Sequence, residues 1–182
     1  MTQETVASGL KAGTWTIDPA HSNVGFTVRH LMSKVRGTFT DFSGQITTTE
    51  DLLGSSVSVT ITSSSINTNN AQRDGHLQSA DFFDPEAGQE LVFTSTGVRE
   101  SGDGHIIDGT LTINGHTHPV ELATEFLGVD TDAYGNTRLG AEATTSISRK
   151  DYGVDFNVPL EGGKLLIGDK IAINLEIEAI LS

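Results

Sequence analysis

Apolar and polar residues alternate with a period of two over most of this chain. The clearest early case lies within WTIDPAHSNVGFTVRHLMSKVRGTFTDF, residues 15–42. Strand side chains point alternately to two faces, so Ser22, Val24, Phe26, Val28 and His30 share one face. His21, Asn23, Gly25, Thr27 and Arg29 share the other. One side of this strand therefore lines something apolar that ends in an imidazole, a wall suited to a long amphiphile.

The same period recurs to the C-terminus. Val57, Val59 and Ile61 alternate with Ser56, Ser58, Thr60 and Thr62, and Leu91 shares a face with Phe93. Ile107, Gly109, Leu111 and Ile113 alternate with Ile106, Asp108, Thr110 and Thr112. Asn114-Gly115 then supplies the positive-φ pair favoured in a two-residue hairpin turn, and Val120, Leu122, Thr124 and Phe126 return from it. Leu139, Ala141, Ala143, Thr145 and Ile147 make a further strand, entered from the loop DTDAYGN. Ile171, Ile173, Leu175, Ile177 and Ala179 make the last. Only NNAQRDGHLQSADFF, residues 69–83, reads as helical. Gly75 limits it to a turn or two, and its apolar end, Leu77, Phe82 and Phe83, has to cover something. Residues 151–168, DYGVDFNVPLEGGKLLIG, read as a long loop.

Residues 1–12 are largely polar and unpatterned and read as a flexible arm, leaving 13–182 as one domain. Some eight strands, each apolar on one face and arranged in meander order, must hide both their faces and their edges. The expected fold is thus all-β: an extended antiparallel barrel of about eight strands with one short helix, whose interior can hold a small ligand. A two-sheet sandwich is the rival. Small residues on the inward faces, Ser22, Gly109, Ala141 and Ala143, favour a barrel with a cavity.

Composition narrows the function. A chain of 182 residues buries about 70% of its unfolded surface, enough for a core without staples. It has no cysteine, so disulfides and thiolate metal sites are excluded. The start, MTQETVASGLKAG, lacks the basic and apolar regions of a secretory signal, and no apolar run approaches the ~20 residues of a spanning helix. A cytoplasmic protein, not integral to a membrane, is expected. The net charge of −13, from 24 acidic against 11 basic residues, opposes a nucleic-acid role and repels anionic surfaces. Locally, Arg29, Lys34 and Arg36 crowd one hairpin. They either guard a sheet edge with charge or meet an anionic headgroup.

Several blocks are recognisable together: WTIDPAHSNVGFTVRH, VRGTFTDFSGQI, SSINTNNAQRDGHLQSADFFD, LVFTSTGV, IDGTLTINGHTHPVEL and SISRKDYGV. In order and spacing they resemble the YceI-like family of lipocalin-like proteins, from about Gly13 to Ala179. The resemblance implies an extended lipocalin-like barrel whose pore binds a polyisoprenoid or another long-chain amphiphile. The implied partner is a long-chain isoprenoid, an isoprenoid quinone or a fatty-acyl-type ligand. A homodimer is a compatible assembly. The implied lining is Val24, Phe26 and Val28; Phe39 and Phe42; Leu111 and Ile113; Phe126; and Phe82 and Phe83. Phe39 and Phe42 differ in parity, so one of them lies past a bulge or outside the pore.

His30, on the apolar face, is either a partner for a ligand headgroup or a histidine satisfied at the barrel mouth. Arg149 is expected to pair internally with an aspartate. His116 and His118 share a strand face and could chelate a metal, but no third ligand follows from the spacing, so no metal and no cofactor is expected. DTDAYGNTR opens like a Ca²⁺ loop, but its twelfth position holds Ala141 in place of the required Glu; it reads as a hairpin loop. There is no Gly-x-Ser-x-Gly elbow and no Gly-rich phosphate loop, so no catalytic residue is assigned. The leading expectation is non-enzymatic binding, sequestration or transport of the lipid. The alternative is an enzyme acting on a related apolar substrate with His30 as acid/base.

Overall fold

The computed structural model describes residues 10–79, 81–86, 88–154, 156–157, 160 and 167–182. Its strands are β1 (Gly13–Ile17), β2 (Asn23–His30), β3 (Ser33–Phe39), β4 (Phe42–Thr48), β5 (Ser56–Thr62) and β6 (Ile66–Asn67). They continue as β7 (Glu90–Ser101), β8 (Gly104–Ile113), β9 (His116–Thr131), β10 (Thr137–Ser148) and β11 (Ile167–Leu181), and the α-helix α1 spans Ala71–Leu77. The order β1-β4-β5-β7-β8-β9-β10-β11 returns to β1 through a β1–β11 ladder, so the sheet closes on itself. This is the barrel, not the sandwich.

Three of its staves are broken strands. β11 pairs with β2 from Ile167 to Glu176 and with β1 from Ala179 to Leu181, so β1 and β2 lie end to end along one partner. β3 and β4 pair with β2 and β1 in the same way, and β6 and β5 pair with β3 and β4. Counted so, the described strands form eight antiparallel staves in chain order. The corner between β1 and β2 is a 3-10 turn, Pro19–His21. Asp18 caps it by accepting from the Ala20 amide at 3.0 Å, and Pro supplies the φ that a first turn wants.

Register fixes the faces. Ile173 stands opposite Phe26 and Leu175 opposite Val24, while Phe39 and Gly37 stand opposite Val24 and Phe26. The predicted apolar face of β2 is therefore the lumen face. The break at Thr40 and Asp41 between β3 and β4 absorbs the parity change, and both Phe39 (7% exposed) and Phe42 (6%) end inside. Not every small inward residue opens space. A methyl on Gly109 would stand 2.5 Å from the Phe93 ring and 2.6 Å from the Thr94 carbonyl, so that glycine admits an aromatic ring. Ser22 sits in the corner and donates to the Glu178 carbonyl.

One end of the barrel is packed solid. Trp15 and Ala179 are fully buried, and Ile17 and Leu139 nearly so. The Trp15 indole donates to Thr48 Oγ1 at 2.8 Å, and the Thr48 hydroxyl donates to the Lys11 carbonyl. Of the expected N-terminal arm, residues 1–9 lie outside the described residues; Leu10 packs against the core. Outside this end, Arg138 donates to Asp132 (2.7 Å), Asp18 (2.8 Å) and Glu178 (3.0 Å), joining the corner, β10, β11 and the β9–β10 loop. The Arg138 guanidinium and then His21 hold the Asp18 carboxyl down at about 2, against an ordinary 3.8.

Two outcomes follow. Gly109→Ala should cost about 1–3 kcal/mol in denaturant unfolding through overpacking, whereas Gly97→Ala, where a methyl meets nothing within 4 Å, should cost little. Arg138→Ala should lower Tm at neutral pH. A depressed carboxylate stabilises above its unfolded pKa and loses that contribution as pH falls through the folded value. The Tm gap between wild type and variant should therefore be full above about pH 4 and narrow as pH falls toward about 2, the remainder belonging to Asp132, which Arg138 holds lower still; a gap constant with pH would exclude the carboxylate linkage.

Candidate functional site: an apolar lumen with a packed floor

Successive inward rows can be read from the ladders. One runs His105, Thr124, Ala143, Leu175, Val24, Phe39. The next, toward the end carrying α1, runs Thr145, Ile173, Phe26, Gly37, and a third runs Ile147, Ile171, Val28, Val35. Four of the six side chains in the first row are buried. In the third row all four are only half-buried although they face the inside of a closed ring. Apolar side chains that point inward yet keep accessible surface border internal space. The lumen thus opens away from the Trp15 floor toward the α1 end, which we call the mouth.

Phe26 shapes this lumen. A methyl on Gly37 would fall 2.5 Å from the Phe26 ring, so the ring lies over the glycine, 5.7 Å from the Phe39 ring. The residues expected to line the pore separate into two groups. Phe26, Val28, His30, Phe83 and Phe126 are half-buried. Val24, Phe39, Phe42, Leu111 and Ile113 are buried in the packed walls, and Phe82 is buried in the cover over the mouth.

The mouth is covered by aromatic residues. α1 ends at Leu77, so Phe82 and Phe83 lie beyond the helix rather than in it. Phe83 meets Phe39 edge-on at 5.9 Å, while Phe82 packs with His76 (5.1 Å) and Phe156 (5.3 Å). Asn114, at φ 54° in the predicted hairpin turn, ties these pieces together. Its amide donates to the Phe82 carbonyl at 2.6 Å and the Tyr152 carbonyl at 3.2 Å, and its oxygen accepts from the Asp84 amide at 3.0 Å.

Arg149 is 2% exposed and, besides the aspartate expected of it, meets carbonyls that the sequence reading did not anticipate. Its guanidinium donates to the carbonyls of Val154, Phe156 and Gly168 at 2.8 Å each, while Asp169 stands 3.7 Å away. It organises the segment after β10, which was expected to be a loop over 151–168. That segment begins in a 3-10 turn, Arg149–Tyr152, and residues 155, 158–159 and 161–166 lie outside the described residues.

Three histidines besides His30 face inward. His30 stands opposite Ile167 and Ser33 near the mouth. His116 and His118 share the inner face of β9, and His118 meets the Tyr152 ring edge-on at 5.2 Å. Burial pushes the Tyr152 phenol up to about 12. Among the described residues no cluster of three His, Cys, Asp or Glu could hold a metal. His105, which sequence reading did not single out, is 8% exposed, and its Nε2 has no hydrogen-bond partner among the described residues. Its parity with Ile107 and Leu111 was the available signal.

The wall is not uniformly zipped. The β9–β10 ladder ends at Thr144 opposite Ala123, leaving β9 before Ala123 and β10 after Thr144 without mutual pairing. A cleft of about 440 Å³ lies there, lined by inner residues such as His118 and Thr145 and outer ones such as Glu121 and Ser146. Pro119 explains part of this. Ile113 and His116 flank a two-residue turn, so alternation puts Pro119 opposite Thr110 at a position without ladder bonds to β8. Its nitrogen faces β10 and has no proton to give.

Fold and lumen together define a closed eight-stave, lipocalin-like barrel with an apolar interior. Residues 15–179 match the family model described as the YceI-like domain. The chain belongs to the YceI-like family. Protein YceI of Escherichia coli is 42% identical over 152 residues, covering 81% of this chain and 80% of that protein. The YceI protein of Campylobacter jejuni superposes with a TM-score of 0.68 at 30% identity, covering 91% and 96% of the two chains. A polyisoprenoid-binding domain of Saccharophagus degradans shares the fold, with a TM-score of 0.67 at 16% identity, covering 92% and 98%.

If the His116/His118 pair packs against the Arg149–Tyr152 turn rather than serving a metal, added Zn²⁺ should leave Tm unchanged. A saturable rise in Tm, abolished by His118→Ala, would make the pair part of a metal site.

Proposed function

We propose that this protein is a non-enzymatic binder that sequesters or transports a long-chain isoprenoid, an isoprenoid quinone or a fatty-acyl-type lipid inside the barrel. The observation that carries this reading is the lumen gradient. Inward-facing Ile171, Ile173, Phe26, Val28 and Ile147 remain half-exposed above a floor that is fully packed. Each methylene withdrawn from water contributes about 0.8 kcal/mol, so an apolar chain laid along these rows gains enough to offset its ordering. The polyisoprenoid-binding character of the Saccharophagus domain supports the same ligand class. No helix among the described residues is long and apolar enough to cross a membrane. A cytoplasmic location and a homodimer are part of the proposal.

Native mass spectrometry of gently purified protein should find an apolar molecule released on denaturation. Phe26→Asp sets a carboxylate on the lumen wall, at a cost of several kcal/mol if it stays dry. It should empty the barrel, while Thr27→Asp on the outer face should not. Equal loss in both variants, or a wild type indifferent to added polyprenyl lipids, would remove the lipid-binding reading.

A further inference from the structure

The β2–β3 hairpin carries two features that the lumen does not use. Its tip, Leu31-Met32, is exposed, Leu31 by 50% and Met32 by 90%. Leu31 also sits at φ 58°, a region where a branched apolar residue is strained. Glycine would serve the turn better, so the sequence keeps two bulky apolar side chains at a conformational cost.

Behind the tip, the outer face of the hairpin is cationic. Arg29 stands opposite Lys34 and Thr27 opposite Arg36, and Ala172 of β11 continues the same face toward Lys170. None of Arg29, Lys34, Arg36 and Lys170 is in an ion pair with a described residue. The acidic groups on the neighbouring elements are Asp169, 3.7 Å from Arg149 and 3.5 Å from Lys150, and Asp151, with Glu176 and Glu178 farther along β11 toward the floor, the latter held by Arg138. In a chain of net charge −13 this is a local reversal of sign. Other exposed apolar side chains have different company: Leu127 lies between Glu125 and Asp130, and Tyr134 follows Asp132.

The hairpin also marks the mouth. His30 and Val28 face the lumen directly behind the tip. We propose that Leu31-Met32 and the Arg29/Lys34/Arg36 face dock the barrel mouth onto an anionic lipid bilayer. The two apolar side chains enter the interface and the cations meet the headgroups. The acidic remainder of the protein is repelled by the same surface, which orients the mouth toward the membrane. The inference rests on the lipid-binding reading, because docking brings the lumen to where such a ligand is dissolved.

The test is flotation with vesicles of one-third phosphatidylglycerol in phosphatidylcholine, against phosphatidylcholine alone, at low salt. Wild type should float with the anionic vesicles only. It should be released near 1 M salt, where the Debye length is about 3 Å. Arg29→Gln/Lys34→Gln/Arg36→Gln should lower partitioning at least about tenfold, since each cation near such a surface contributes separately. Leu31→Gly/Met32→Ser, which relieves the turn while removing its apolar tip, should lower it several-fold with Tm unchanged or raised. Leu127→Ser should float like wild type. Failure of wild type to float, as expected of a patch that serves an acidic protein instead, or equal flotation of the triple variant, would overturn the proposal. Ligand retention in solution, measured on the same variants, separates the two readings. Intact retention without docking defeats docking alone, and docking without any retained lipid in wild type defeats the lipid reading.

Discussion

Ring closure through the five residues of β1 is the constraint on which the rest of this structure depends. β1 is held on one side by the end of β11 and on the other by β4, and Trp15 at its centre is fully buried. An open sheet of this length would expose two rows of unpaired amides and carbonyls. Closure through the β1–β11 ladder removes these edges at the floor end and encloses the side chains around Trp15. The indole N–H, which would cost free energy if buried without a partner, donates to Thr48, whose own hydroxyl donates to the Lys11 carbonyl. The Arg138 bridges secure the same region from outside, fastening the corner after β1 to β10 and β11.

Because the floor is dense, the lumen has a direction. Side chains on β2, β10 and β11 are buried toward Trp15 and become accessible toward the mouth, where Phe82, Phe83 and Phe156 and the Asn114 hydrogen bonds close over them. Two glycines show how finely the space is apportioned. Gly37 and Gly109 each lie under a ring, Phe26 and Phe93, so the walls pack where aromatic meets glycine and stay open where Ile147, Ile171 and Ile173 stand side by side on β10 and β11.

Much of this was legible in the sequence, because alternation is a local property. The faces of β2, β8, β10 and β11 follow from parity alone, and Asn114-Gly115 turns where its chemistry says it should. What alternation could not reveal depends on register between distant strands. Parity alone left Phe39 and Phe42 in conflict; pairing of β3 with β2 and of β4 with β1 across the Thr40–Asp41 break places both inside. Gly109 reads as an opening until Phe93 is placed above it. Arg149 reads as half of an ion pair, and it has one with Asp169, but the chain also folds back to offer it carbonyls from both sides of a long connection. His105 was hidden by its setting, since a histidine two residues beyond the Gly102-Asp103 turn looks like solvent-facing punctuation even though it shares parity with Leu111.

The unzipped stretch between β9 and β10 gives the barrel a seam. The long ladders of β7 with β8 and β10 with β11 tie most of the wall to its neighbours, and opening them takes cooperative rupture. Beside Pro119 such ties are missing, so a local opening there costs less than one through the fully paired staves. The wall can part sideways at this seam without unfolding the floor. In mechanical terms the barrel resembles a slotted tube, stiff around Trp15 and compliant along one line near the mouth.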